Sequence, residues 1–196
     1  MTLPNQLTIL RIVLTPLFLI LFLSSEPLLK QISVGIFIIA ALSDWYDGWL
    51  ARKFNYITEW GKFMDPLADK ILTSAAFIGF ASAGLLEWWM VVIVLIRDFT
   101  ITILRVYAEK KGYIFTTSNY AKFKTLLQMI FLYYLLIIYV ASISPELSLG
   151  FTEIFNILLD EDMIYFIMLL ITIITVHTGI LYFQKNIDLI KKLFLE

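Results

Sequence analysis

Long apolar stretches dominate the chain, and short polar segments separate them. A helix needs about 20 apolar residues to cross the hydrocarbon core of a bilayer, and these stretches have about that length. Between the last two stretches, Leu147 to Leu159 is mixed in polarity and is expected to lie in the membrane interface. The pattern therefore predicts six spanning helices, at 7–24, 29–52, 62–83, 88–110, 119–144 and 162–186.

Composition agrees with a membrane setting. Apolar residues make up 60% of the 196 residues and the mean hydropathy is +0.85, which predicts an all-α integral membrane protein. We expect one domain over 1–196, a bundle of six transmembrane helices. The net charge of -1 argues against nucleic acid as a partner, because phosphate binding needs a basic excess. The chain has no cysteine, which excludes disulfides and thiolate ligands.

The distribution of charge predicts the orientation in the membrane. Lysine and arginine concentrate on the cytoplasmic side of membrane proteins. If the N-terminus is inside, that side receives Arg52, Lys53, Lys62, Arg105, Lys110, Lys111, Lys122, Lys124, Lys185, Lys191 and Lys192. The opposite loops then hold one basic residue, Lys30, among several acids. We therefore predict an N-in/C-in protein of the cell membrane, with the inner helix ends facing the cytoplasm.

Four aspartates stand at helical spacing near the inner ends of the second and third predicted helices. Asp44 and Asp47 are three residues apart and Asp65 and Asp69 are four apart, so each pair shares one helix face. Small residues interleave with them: Gly48, Ala51 and Gly61. A charged residue at bilayer depth costs about 2.5–3.5 kcal/mol on insertion scales, which favours a functional role. Divalent metal ions are the natural partners of such acids.

The spacing of these residues carries a family resemblance. The pattern D-x2-D-G-x2-A-R-x8-G-x3-D-x3-D is met at all its specified positions from Asp44 to Asp69 and resembles the signature of the CDP-alcohol phosphotransferases. Three further segments resemble the branch of that family that uses glycerol 3-phosphate as acceptor: Leu3 to Arg11, Gly61 to Lys70, and Lys122 to Thr125 with Gln128. Arg97-Asp98 departs from the Arg-Glu expected there. The likeness covers essentially the whole chain.

The resemblance implies a reaction and its metal ligands. Members of the family transfer a phosphatidyl group from a CDP-linked lipid, here CDP-diacylglycerol, to an alcohol and release CMP. Two divalent metal ions, Mg²⁺ or Mn²⁺, are implied, and carboxylate oxygens suit both. Asp44 and Asp65 would bridge the two metals, while Asp47 would complete the first and Asp69 the second. Asp69 would also be the catalytic general base that takes the proton of the acceptor hydroxyl.

The resemblance also implies substrate contacts. The candidate CDP-lipid-binding residues are Asn5, Thr8, Gly48, Ala51, Arg52, Thr58 and Gly61. For Asn5 and Thr8 the alternative is ordinary helix capping. The dianionic glycerol 3-phosphate needs cations, and the candidates are Arg105, Lys122 and Lys124. For these three the alternative is the positive-inside signal alone.

Several alternatives remain open at this stage. Arg97 and Asp98 fall near the middle of the fourth predicted helix and, being adjacent, are expected to point in different directions. We favour interhelical partners for them, for instance Lys70 for Asp98, over a catalytic role. The motif does not identify the acceptor, so inositol phosphate and serine are alternatives. A membrane transporter with a carboxylate ion site is a more remote one. A homodimer is compatible with the apolar faces, but the sequence offers no decisive interface.

Overall fold

The computed structural model describes residues 2–54, 58–116 and 118–195, without the side chains of 51, 52, 59, 145–149, 194 and 195. These residues form seven α-helices and no strand. The helices are α1 Leu3–Phe22, α2 Pro27–Phe54, α3 Glu59–Ser82, α4 Trp88–Lys110, α5 Asn119–Ser142, α6 Pro145–Leu158 and α7 Glu161–Leu195. The all-α prediction is confirmed, and α4 begins and ends at the predicted residues.

The largest differences from the predicted helices lie in α1, in the interfacial segment and in α7, whereas α2, α3 and α5 differ by at most three residues at an end. α1 begins at Leu3 rather than at 7, because Pro4 suits the first turn of a helix. The interfacial segment is a helix of its own, α6, with non-helical backbone angles at Phe151. α7 continues to Leu195 rather than ending at 186. Its charged last part keeps an apolar face, on which Tyr182 and Leu193 pack with α4 and the segment after it.

Four helical stretches of the described chain are long and apolar enough to cross a membrane: Leu3–Phe22, Pro27–Leu50, Asn119–Ser142 and Gly150–Leu193. They indicate a membrane protein. α3 and α4 are of similar length but carry more charges within their span, including Asp65, Lys70 and Asp98. α3 packs against α1, α2, α4 and α5, so the most charged helices lie against other helices of the bundle.

An aromatic cluster holds α1 against α2 and α3 at the end remote from the aspartates. The ring centroids of Phe18 and Phe37 lie 5.1 Å apart, and those of Phe22 and Phe80 lie 5.2 Å apart. All four side chains are buried. At Gly79 of α3, a Cβ atom would stand 2.8 Å from Cδ1 of Phe22, so only glycine allows this close approach. The cluster fixes α1 and thereby places its N-terminal half beside the acids.

Candidate active site

The four aspartates of the motif lie on adjoining parts of α2 and α3. Asp47 is buried, whereas the side chain of Asp44 is 46% exposed. The carboxylate of Asp44 is close enough to be repelled by those of Asp65 and Asp69, and Asp47 is repelled by Asp44 and Asp65. The helices thus bring the two acid pairs into electrostatic range of each other. Such a concentration of negative charge requires cations.

Arg11 of α1 supplies a cation to the acids of α2. Its Nη2 donates to Oδ2 of Asp47 at 2.6 Å, and its Nη1 lies 2.7 Å from Oδ1 of Asp44. Its Nε donates to the carbonyl oxygen of Ala40 at 3.3 Å. The side chain is 0% exposed. One buried guanidinium therefore joins α1 to both acids of the first pair.

Polar residues at the start of α1 contact the second acid pair and the beginning of α3. The hydroxyl of Thr8 donates to Oδ1 of Asp65 at 2.6 Å. The hydroxyl of Thr58, the N-cap of α3, donates to Oδ1 of Asn5 at 2.9 Å and accepts from the amide of Gly61. At Gly61 a Cβ would stand 3.0 Å from the Thr58 hydroxyl and 3.2 Å from Asn5 Oδ1. The motif glycine therefore leaves room for these polar atoms.

The capping interpretation of Asn5 and Thr8 is wrong. α1 begins at Leu3 with Thr2 as its N-cap, so Asn5 and Thr8 lie inside the helix. Their side chains are buried and contact α3 instead of the free amides of their own helix.

A second polar network surrounds Asp98 in α4. Its Oδ1 accepts from Nζ of Lys124 at 2.6 Å and from Nη1 of Arg97 at 3.0 Å. Its Oδ2 lies 3.9 Å from Nζ of Lys70, which in turn lies 3.6 Å from Oδ2 of Asp69. The predicted interhelical pairing of Asp98 with Lys70 is confirmed. Asp98 therefore contacts three cations, and one of them, Lys70, also contacts Asp69, the proposed general base.

Arg97 and Asp98 do not point apart as predicted. The long side chain of Arg97 turns back to Asp98, and its Nη2 donates to the hydroxyl of Thr178 in α7 at 3.1 Å. Nε of Arg97 is buried and has no hydrogen-bond partner among the described residues. Arg97 therefore joins α4 to α7 and keeps one donor unused.

A cavity of about 900 Å³ opens beside Asp69. Seven charged residues line it: Asp69, Lys70, Arg97, Asp98, Arg105, Glu109 and Lys122. Of the predicted acceptor residues, Arg105 and Lys122 line this cavity, while Lys124 is 1% exposed and paired with Asp98. Nε of Arg105 contacts Oε1 of Glu109, another residue of the cavity wall, at 2.9 Å. Four cations against three carboxylates leave the cavity wall with a net charge of +1, which favours an anion.

The remaining predicted residues are placed as follows. Gly48 is half-buried on α2, next to Asp47. Ala51 and Arg52 belong to the backbone of α2, but their side chains lie outside the described residues. The predicted CDP-lipid contact of Arg52 therefore stays a prediction.

Three residues of the site, Arg11, Lys70 and Arg97, were not predicted from the sequence as site residues. Arg11 stood within the segment that carries the resemblance, but no role was assigned to it. The available signal was an arginine inside a predicted spanning helix, where a charged residue normally has a specific partner.

The donor set suits hard divalent cations, but the side chains are not arranged around one. Four carboxylates and no cysteine or histidine fit Mg²⁺ or Mn²⁺. Within the described residues, however, no three acidic or histidine side chains are grouped so that they could hold a metal ion. Arg11 contacts Asp44 and Asp47 instead, and Thr8 contacts Asp65. Binding of metal would require these carboxylates to turn away from their α1 partners.

Comparison with known proteins decides the family. The family model described as CDP-alcohol phosphatidyltransferase matches residues 1–175. The chain belongs to this family. The match includes the aspartate motif, Arg11 and the cavity residues except Tyr182, and it confirms the resemblance drawn from the motif.

Individual relatives carry more specific names. A Bacillus subtilis protein named CDP-diacylglycerol–glycerol-3-phosphate 3-phosphatidyltransferase is 39% identical over 65% of this chain and 72% of its own length. A protein of the same name from Rickettsia bellii is 35% identical over 65% of this chain and 70% of its own length. A Mycobacterium tuberculosis protein named probable phosphatidylglycerophosphate synthase is 39% identical over 65% of this chain and 62% of its own length.

Proposed function

We propose that the protein transfers the phosphatidyl group of CDP-diacylglycerol to glycerol 3-phosphate and releases CMP. The observation that carries this proposal is the cation-lined cavity beside Asp69 of the family motif. Glycerol 3-phosphate brings a dianionic phosphate, which the positively charged cavity wall attracts, whereas serine has no net charge. Inositol phosphate is also a dianion, so charge alone does not separate it. The names of the relatives favour glycerol 3-phosphate.

Asp69 acts as the general base in this proposal. It is on the cavity wall, and its side chain is 38% exposed, so an acceptor hydroxyl can reach it. Arg105 and Lys122 bind the acceptor phosphate from α4 and α5. Arg97, whose Nη1 contacts Asp98, is a further cation on that wall. The acceptor is thereby held with its hydroxyl toward Asp69 and its phosphate away from it.

The CDP-lipid belongs to the other side of the acids, where α1 meets α2 and α3. Asn5, Thr8, Thr58 and Gly61 lie together there, and Gly48 of the motif lies on α2 beside Asp47. Asp44, Asp47, Asp65 and Asp69 would hold two divalent ions. When bound, such ions neutralise the diphosphate and stabilise the charge on the leaving phosphate.

Six helices, α1 to α5 and α7, cross the membrane in this proposal, with both termini in the cytoplasm. The asymmetry of lysine and arginine supports this orientation. The charges of α3 and α4 are compatible with spanning because they pair between helices, as Asp98 does with Lys70 and Lys124. The aspartates and the cavity then open to the cytoplasm, where CDP-lipid and glycerol 3-phosphate are available.

Single-cysteine labelling tests this topology. The chain has no cysteine, so each introduced thiol reports on one position. A cysteine at Lys111, beyond the end of α4, should react with an impermeant maleimide only after the membrane is opened. A cysteine at Glu87, at the start of the same helix, should react in intact cells. The reverse pattern would refute the N-in orientation.

Acceptor choice tests the reaction itself. Purified protein with CDP-diacylglycerol and Mg²⁺ should release CMP with glycerol 3-phosphate. With L-serine, which lacks a phosphate, the rate should be at least about 100-fold lower, and myo-inositol 1-phosphate should also be disfavoured. The measurement is CMP release with the three acceptors in parallel.

A variant that removes one cation of the cavity tests whether the cavity binds the acceptor. Lys122→Gln should raise the KM for glycerol 3-phosphate and leave the KM for CDP-diacylglycerol near that of the parent protein. Lys111→Gln, an exposed lysine outside the cavity, is the matched control. Release of CMP with serine or inositol phosphate only would overturn the proposed acceptor while leaving the family membership intact.

A further inference from the structure

Arg11 is the one cation that contacts both acids of α2 in the described structure. Its three nitrogens reach Ala40, Asp44 and Asp47, which follow one another at helical spacing on one face of α2. The planar fork of a guanidinium is suited to holding two carboxylates at once.

The two contacts of Arg11 are unequal. The Nη2 contact with Asp47 is a hydrogen bond to a buried carboxylate. The Nη1 contact with Asp44 is equally short, but Nη1 makes no aligned hydrogen bond. Because the Asp44 side chain is also 46% exposed, it is the carboxylate that can turn toward another cation. Asp47 is held firmly and Asp44 loosely.

α1 itself is fixed by packing, independently of the acids. Phe18 and Phe22 anchor its C-terminal half in the aromatic cluster. Arg11 therefore enters the acid site from a rigid support, and Thr8, one turn earlier, contacts Asp65 of the second pair. One face of α1 thus contacts acids of both pairs.

We infer that Arg11 is a positioning residue of the acid site: its guanidinium is the counter-charge that keeps Asp44 and Asp47 together on α2 when no metal is bound. Without it, two like charges on one helix face would repel each other and the acids of α3 with no cation beside them. Divalent ions would act on the same carboxylates, so they should replace part of what Arg11 provides. This last step rests on the proposed metal-dependent function.

Thermal unfolding of the full chain in detergent with EDTA tests the counter-charge role without metal. Arg11→Gln should lower the Tm by about 5–10 °C, since it leaves Asp47 buried without its cation. Arg11→Lys should recover at least half of that loss. The double variant Arg11→Gln/Asp47→Asn should also recover stability, because it removes the unpaired charge. Thr15→Val is the control, a buried α1 residue bonded only within its own helix.

A packing role for Arg11 predicts the opposite pattern. In that case Arg11→Lys would be as unstable as Arg11→Gln, and Asp47→Asn would add its own loss to the double variant. Either result would overturn the inference. If Arg11→Gln does not fold, recovery of folded protein by the lysine or the double variant supports the counter-charge role, and failure of both overturns it.

The change in Tm on addition of Mg²⁺ tests the role of Arg11 and the proposed metal site separately. Saturating Mg²⁺ should raise the Tm of Arg11→Gln more than that of the parent protein. A parent that does not respond to Mg²⁺ or Mn²⁺ overturns the proposed metal site, while the EDTA series still decides the role of Arg11. An equal Mg²⁺ shift in both proteins would show that the metal and Arg11 do not act on the same carboxylates and would overturn that part of the inference.

Discussion

Replacing Asp69 with asparagine is expected to lower the turnover number by about 10²–10⁴-fold, the range found for general acid–base groups. The substitution keeps the shape of the side chain but removes its ability to take the acceptor proton. Binding of CDP-diacylglycerol should survive, because the proposed CDP-lipid contacts lie on the α1 side of the acids. Steady-state kinetics of CMP release, with an equilibrium assay of CDP-lipid binding, measure the two effects separately.

Replacement of the other aspartates should also lower the activity, but for a different reason. Asp65→Asn removes a proposed bridging ligand, so the remaining activity should require more Mg²⁺ than that of the parent. Asp65 contacts the Thr8 hydroxyl rather than an arginine, and its removal relieves repulsion on Asp44 and Asp47. The metal-free Asp65→Asn protein should therefore be as stable as the parent or more stable. Asp162→Asn, an exposed acid about 30 Å along α7 from Tyr182, is the matched control.

Two results would end the two-metal proposal. The first is near-parental transfer by both Asp65→Asn and Asp69→Asn. The second is full activity of the parent protein after exhaustive treatment with EDTA. Loss of activity in Asp162→Asn as well would show that the assay reports insertion or folding, not chemistry.

The helices were predictable because their apolar residues recur over lengths that match a bilayer. α4 has the predicted bounds because Glu87 and Lys111 end the apolar stretch at both sides. α7 was predicted too short for the same reason. A hydropathy pattern ends at the first cluster of charges, whereas a helix continues while one face, here that of Tyr182 and Leu193, has something to pack against.

The acids of the site were predictable and their partners were not. The spacing of Asp44 and Asp47 fixes a shared face from local geometry alone. The contact of Arg11 with them depends on how α1 packs on α2, which no local pattern encodes. Lys124 shows the same limit. It was predicted to bind the acceptor phosphate from its position near a helix end, but it is buried against Asp98 of another helix.

Substitution of Asp98 is expected to have the largest effect on stability. Asp98→Asn should lower the free energy of unfolding by about 3–5 kcal/mol, the cost of leaving a buried charge without its partner. The reason is that Lys124 is 1% exposed and would lose its only ion pair described here, while Arg97 and Lys70 would lose theirs with the same carboxylate. Unfolding of the detergent-solubilised protein, followed by far-UV circular dichroism, measures the loss.

Two companion variants separate charge from shape at this position. Asp98→Glu keeps the charge and adds one methylene group, so it should cost less, about 1–3 kcal/mol. Asp98→Asn/Lys124→Met removes both members of the most buried pair and should recover most of the loss, because replacing a buried pair by apolar groups is often neutral. If the double variant is less stable than Asp98→Asn alone, then Lys124 does not depend on Asp98 for its burial. The network would then be held by Arg97 and its bond to Thr178 of α7 instead.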